Sequence, residues 1–180
     1  MFDSMMTPTR HDTQVTVFPN RQRFEAGVSR VLSHHSGQED CAVLHVSLRG
    51  SAGSVSPRML NLVGNALRIG TRRGCLVYLG DAEFALLLQD TDAREAAAYA
   101  RTMAVVIASF RVNGKDELIS ASASIGGVMA GDGQQGHDLL EQAMQASKLA
   151  VGKHGYQVHM QHAAAPMPRH EMPALELSFA

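Results

Sequence analysis

The chain has 180 residues, 45% of them hydrophobic, with 16 Lys and Arg against 17 Asp and Glu. That length suits one domain with a single core and short tails. The balanced charge, with no run of Lys or Arg, disfavours a nucleic-acid surface and an electrostatic membrane anchor.

Residues 1–14 are polar and aperiodic, lack the basic and apolar regions of a signal peptide, and read as a flexible N-terminal segment. Phe18-Pro19-Asn20-Arg21 is a turn, after which Phe24, Val28, Val31 and Leu32 recur at helical spacing until Ser36-Gly37-Gln38. Cys41 to Leu48 is an apolar run that fits a pleated sheet and is read as the central strand. A Gly- and Ser-rich loop from Arg49 to Ser56 follows. Pro57 then opens a helix with Leu60, Val63, Leu67 and Ile69 on one face, stopped by Gly70.

Leu76 to Leu88 holds two short apolar runs around Gly80-Asp81-Ala82, which predicts a tight hairpin because Gly and Asp tolerate positive φ. Asp90-Thr-Asp92 starts an Ala-rich helix to about Ser109, and Leu118 to Val128 is a strand. A helix from about Asp138 to Val151 turns Leu139, Leu140, Ala143, Ala146 and Leu149 inward, and a short strand near Tyr156 to Met160 closes the domain. Gln161 to Ala180, with Pro166, Pro168 and Pro173, reads as a flexible tail, yet Leu175, Leu177 and Phe179 alternate as a strand added to the edge of a partner's sheet would. The domain therefore spans 15–160. Its element order predicts an α+β fold, a mostly antiparallel sheet of about five strands flanked by helices.

Little free-standing chemistry is legible. Cys41 and Cys75 sit in apolar runs and form no disulfide framework, which points to a reducing, cytoplasmic setting. No apolar stretch reaches the roughly 18 residues of a membrane span. The nine His share no metal-ligand spacing with Cys or carboxylates, so no metal or cofactor is expected. His45, on the apolar central strand, reads as a hydrogen-bonded core histidine. No nucleophile has a recognisable partner.

Gly80-Asp81-Ala82-Glu83-Phe84 resembles the Gly-Gly-Asp/Glu-Glu-Phe signature of the diguanylate cyclase (GGDEF) family. Val15-Thr-Val-Phe-Pro-Asn-Arg21 with Phe24, the helix with Leu60, Val63 and Leu67, Ser124-Ile125-Gly126, and Ala143 with Ala146 resemble further family motifs in the same order. In the closing helix, the family's Asp, Leu and Tyr are Met144, Ser147 and Lys148 here. The resemblance implies a nucleotidyl-cyclase-like palm. It also implies where chemistry would sit, and at those positions this chain departs from the family.

The family holds two metal ions with an Asp at the end of the central strand and the third signature residue, which align with Ser47 and Ala82. A hydroxyl and a methyl do not replace two anionic ligands. The second signature Gly is Asp81, whose carboxylate would repel a triphosphate by roughly 1 kcal/mol or more. The segment that reads guanine is shortened to Gly50-Ser-Ala-Gly-Ser-Val-Ser56, without Asn or Asp. The inhibitory Arg-x-x-Asp that binds cyclic di-GMP aligns with Thr71 and Gly74, leaving Arg72 and Arg73 as candidate phosphate contacts, more simply solvated charges. Glu83 and Phe84 remain from the signature, Glu83 read as a solvated carboxylate and Phe84 as core.

The resemblance therefore leads to the expectation of a catalytically inactive GGDEF-like module. It would act by protein contacts in cyclic di-GMP signalling, as a homodimer or with a partner. The alternative is a sensor that binds GTP or cyclic di-GMP without turnover. Least favoured is an active cyclase with a rearranged site using Asp81.

Overall fold

The computed structural model describes residues 14–34, 41–51, 53–114, 118–131, 133–150 and 157–162. The expected tails, 1–14 and 161–180, lie outside the described residues except for Gln14, Gln161 and His162. The element order is β1 (Gln14–Phe18), α1 (Arg21–His34), β2 (Ala42–Gly50), α2 (Pro57–Gly70), β3 (Arg73–Gly80), β4 (Glu83–Leu88), α3 (Ala93–Ser109), β5 (Arg111–Asn113), β6 (Leu118–Met129), α4 (Gly136–Leu149) and β7 (Gln157–His162). The strands run β1-β3-β4-β2-β6-β5 across the sheet, with β7 also on β6. Pairings among β3, β4, β2, β6 and β5 are antiparallel, whereas β1 joins β3 and β7 joins β6 in parallel. Two short strands, β1 and β5, thus extend the five expected.

The helix boundaries follow local chemistry. Ser56 caps α2 by accepting from the Met59 N–H at 3.2 Å, and Pro57 occupies the first turn, where a missing N–H costs nothing. At α3 a capping box forms, Asp92 accepting from the Glu95 N–H at 2.7 Å while Glu95 accepts from the Asp92 N–H at 3.3 Å.

Alternation along the strands divides the core into two layers. On one face Leu44, Val46 and Leu86 pack with Met59, Val63 and Leu67 of α2 and Ala100, Ala104 and Ile107 of α3. On the other, Val43, Val77 and Leu87 pack with Phe24 and Val28 of α1 and Leu139, Leu140 and Ala143 of α4. Two inward expectations fail for the same geometric reason. Ile69 is 71% exposed and Leu149 65%. At about 100° per residue, Ile69 turns away from Leu67, and Met59 takes the inward place. Likewise the buried face of α4 runs through Ala143, Ala146, Ser147 and Ala150, leaving Leu149 to its side.

Candidate functional site

The hairpin between β3 and β4 turns on Asp81 (φ 48°) and Ala82 (φ 62°), following Gly80 at φ 99°. Two successive positive φ values give a two-residue turn matched to the strand twist. Asp tolerates that conformation, but at Ala82 it costs on the order of 1 kcal/mol. Ala82→Gly is accordingly expected to raise stability in urea by roughly 0.5–1 kcal/mol, and a fall would mean that Ala82 is unstrained there. Asp81 is exposed at the tip. The Ala82 carbonyl accepts from the Leu48 N–H at 3.0 Å, which fastens the tip to the central strand.

That fastening sets Ser47 of β2 opposite Glu83 of β4, with Ser124 of β6 on its other side. Phe84 points to the opposite face and packs at 5.1 Å between ring centroids on Tyr78. Glu83 is not the freely solvated carboxylate expected: its side chain is 31% exposed, and Oε2 lies 3.5 Å from His45 Nε2.

His45 shares a face with Ser47, two residues along the strand, and is 2% exposed. Its flanking strand neighbours are Ala85 and Gly126. Gly126 has no Cβ because the helix above leaves no room: one would lie 2.0 Å from the Ser147 nitrogen and 2.3 Å from the Ala143 oxygen. The close approach of α4 brings Ser147 Oγ to 2.7 Å from His45 Nδ1. Ser147 Oγ also lies 2.8 Å from the Met144 carbonyl, so its one proton is shared between that oxygen and Nδ1, and the His45 tautomer sets which of Nδ1 and Oγ donates. The other ring nitrogen, Nε2, is buried, makes no hydrogen bond of ordinary geometry, and has the Glu83 carboxylate as its nearest charged neighbour. Burial holds the His45 pKa below its ordinary value; Glu83 pulls it upward, and Lys148 and Arg21 add to the lowering.

Sequence reasoning placed His45 in the core but missed its partner. The available signal was Ser147 itself, a polar residue on the inward face of an otherwise apolar helix. Beside this network, Arg21 of α1 bonds Glu25 at 2.6 Å and also pairs with Glu141 of α4, holding the Glu141 carboxyl below its ordinary range. Such half-exposed pairs orient α1 on α4 more than they stabilise it.

The Arg-x-x-Asp positions lie at the far end of β3, roughly 23 Å from the hairpin at ~3.3 Å per residue. Thr71 is fully buried and terminates α2: its N–H and Oγ1–H both donate to the Leu67 carbonyl, at 3.1 and 2.8 Å. Oγ1 is also 3.0 Å from the Tyr99 hydroxyl, whose pKa burial pushes up to about 12. Gly74 has φ 150°, and a Cβ there would meet the Leu87 oxygen at 1.8 Å. No side chain fits that backbone. Arg72 and Arg73 are exposed and, with Gln89, Asp90 and Glu95, line a cleft of about 380 Å³. Arg73 is bound to Asp90 at 2.6 Å.

Cys75 is buried, which pushes its thiol up to about 11 and makes it an apolar packing group. Among the described residues no three His, Cys, Asp or Glu side chains gather as a metal site, and no helix is long and apolar enough to cross a membrane.

A seven-stranded mixed sheet with helices on both faces and a Gly-Asp-Ala-Glu-Phe hairpin beside its central strand is a palm of the nucleotidyl-cyclase type. The model of the family "Diguanylate cyclase, GGDEF domain" matches residues 53–155, more than half of the chain. The chain belongs to the GGDEF family. In structure it is similar to the GGDEF domain of FimX from Pseudomonas aeruginosa, with TM-score 0.67 and 18% identity over 79% of this chain and 93% of that one. It is similar also to the GGDEF domain of DgcB from Caulobacter crescentus in complex with c-di-GMP, with TM-score 0.66 and 16% identity over 78% and 90%. The diguanylate cyclase SiaD from Pseudomonas aeruginosa, in complex with its activator SiaC, matches with TM-score 0.61 and 19% identity over 81% and 58%. No curated protein matches the sequence.

Proposed function

We propose that this chain is a catalytically inactive GGDEF module that acts through protein contacts, in the cytoplasm, in bacterial cyclic di-GMP signalling. The observation that carries this reading is the pairing of Ser47 with Glu83, the carboxylate of Glu83 lying 3.5 Å from a buried imidazole. Two hard divalent cations beside a triphosphate need several anionic oxygens. Ser47 offers a hydroxyl, Ala82 offers a methyl and a carbonyl already bonded to Leu48, and Glu83 stands alone between them. This donor set does not fit the metal pair.

The second Arg-x-x-Asp position weighs against cyclic di-GMP binding at the inhibitory site, since the Gly74 backbone excludes any side chain. A protein partner is supported by SiaD, a GGDEF protein whose structure contains a protein activator. Incubation of the full chain with GTP and Mg²⁺ or Mn²⁺ is expected to yield no cyclic di-GMP. Product that disappears on Asp81→Ala would establish a rearranged active site and overturn the proposal.

The sensor reading is favoured by one observation, the cleft flanked by Arg72 and Arg73. A ligand at one hundred times its Kd adds about 2.7 kcal/mol to native stability, so binding must raise Tm. With millimolar GTP or cyclic di-GMP, with and without Mg²⁺, we expect no rise. A rise abolished by Arg72→Ala would make the module a nucleotide sensor.

A further inference from the structure

β1 is the outermost strand of the sheet, and among the described residues it pairs with β3 alone. Its outer edge therefore offers a row of backbone donors and acceptors. Beside that edge lies a groove of about 380 Å³ lined by Val17, Leu76, Tyr78 and Phe84 of the sheet and by α2, whose Leu60 and Gly64 are apolar and whose Asn61, Asn65 and Arg68 give it a polar side. Val17 is 56% and Tyr78 45% exposed, unlike the interior faces of the neighbouring strands. An open edge next to an apolar groove suits an extended segment. Its backbone would continue the sheet while alternate side chains enter the groove.

The chain carries such a segment outside the described residues. In Ala174-Leu-Glu-Leu-Ser-Phe179, Leu175, Leu177 and Phe179 fall on one face of a strand, and the six residues match the five of β1. Position favours it too. Val15, Gly74, Leu88, Ala42, Met129 and His162 are successive register partners and form one row across the sheet. The last described residue, His162, thus lies level with the start of β1. A strand beyond β1 is six spacings from β7, roughly 29 Å at ~4.8 Å each. Residues 163–173 span up to about 36 Å when extended, which is enough to reach it. Pro173 immediately before the segment suits the first position of an edge strand, where no N–H need be paired.

We propose that residues 174–179 add to the outer edge of β1 within the same chain, in parallel, and place Leu175, Leu177 and Phe179 on the rim of the α2–β3 groove. The surface so covered is distinct from the Ser47–Glu83 region, and the proposal holds whether or not nucleotide binds.

Hydrogen exchange of the full chain, without nucleotide, tests it directly. The alternate amides of 175–179 that turn toward β1, and those of Val15 to Val17 that turn away from β3, are expected to exchange at least about tenfold more slowly than in Leu177→Asp, whose change lies in the tail and leaves the folded core intact. Val17→Asp, on the groove side, is expected to release the tail amides equally. Unprotected tail amides in the unsubstituted chain would overturn the proposal. Tail protection that disappears on dilution, together with a dimer mass, would overturn it in favour of exchange between two copies.

Discussion

Replacing Gly126 with alanine is expected to be among the most damaging single changes in this protein, lowering stability by about 3 kcal/mol or more. The position has ordinary strand geometry, so the cost comes from contact alone. A Cβ 2.0 Å from the Ser147 nitrogen and 2.3 Å from the Ala143 oxygen meets helix backbone, which cannot rotate aside as a side chain could. α4 would have to retreat as a body. That would loosen Leu139, Leu140 and Ala143 from the sheet and stretch the His45–Ser147 bond. Gly53→Ala provides the contrast: φ is 86° and nothing lies within 4 Å, so only a conformational cost of roughly 1 kcal/mol is expected. Urea midpoints, at unchanged m, compare the two. A loss at Gly126 no greater than that at Gly53 would mean that α4 does not rest on β6 as described.

The second large effect belongs to His45. Ser147→Ala leaves the buried Nδ1 without its hydroxyl partner and is expected to cost about 1–3 kcal/mol. His45→Leu with Ser147→Ala removes both partners together and is expected to recover most of that loss, because an unpaired buried polar group costs more than an absent pair. The same residue gives stability a pH dependence. Burial lowers the His45 pKa in the folded state from its ordinary 6.5, while the unfolded chain keeps that ordinary value. Between the two values the unfolded chain binds a proton that the folded one does not. Stability held above about pH 6.5 is therefore lost as pH falls toward the lowered value. The groups facing His45 are Glu83 from β4, Lys148 from α4 and Arg21 from α1; Glu83 opposes the lowering and the two cations reinforce it. Urea midpoints at about pH 7.5 and about pH 5.5 should fall further for the natural chain than for the double variant. Equal falls would remove His45 as the titrating group.

These effects converge on α4, which lies over the central strand on the face that carries Ser47 and Glu83. A bond between residues 102 positions apart joins that helix to β2, and a 3.5 Å approach joins β2 to the signature hairpin. Loss of Gly126 or Ser147 should thus be felt at the hairpin. Ala82→Gly, acting inside the turn, should leave α4 undisturbed.

The helix starts at Pro57 and Asp92, the apolar run of β2 and the positive-φ turn at Gly80-Asp81-Ala82 are local properties, and each element formed where its residues predicted. β1 and β5 were not legible because strands of five and three residues are defined by the neighbours they pair with. Ile69 and Leu149 are exposed despite their hydrophobicity because they lie near the ends of helices, where the turn angle carries an apolar residue past the sheet. At the site, Ser47, Ala82, Thr71 and Gly74 were legible as departures from a family pattern. What the departures do instead was not. Thr71 became a helix terminus held by Leu67 and Tyr99, and Gly74 a point where two strand backbones nearly touch.

By itself the sequence determined the family, the order of the four helices and of five of the seven strands, and the absence of carboxylates at Ser47 and Ala82, since periodicity, capping and residue identity are carried by neighbours along the chain. Only the tertiary structure decided that Glu83 lies partly buried beside a buried histidine, that Ser147 supplies that histidine's partner, and that, among the described residues, the outer edge of β1 is unpaired beside an apolar groove. Each of these depends on distances between strands and helices far apart in the chain. Sheet pairing and the close descent of α4 onto Gly126 set those distances.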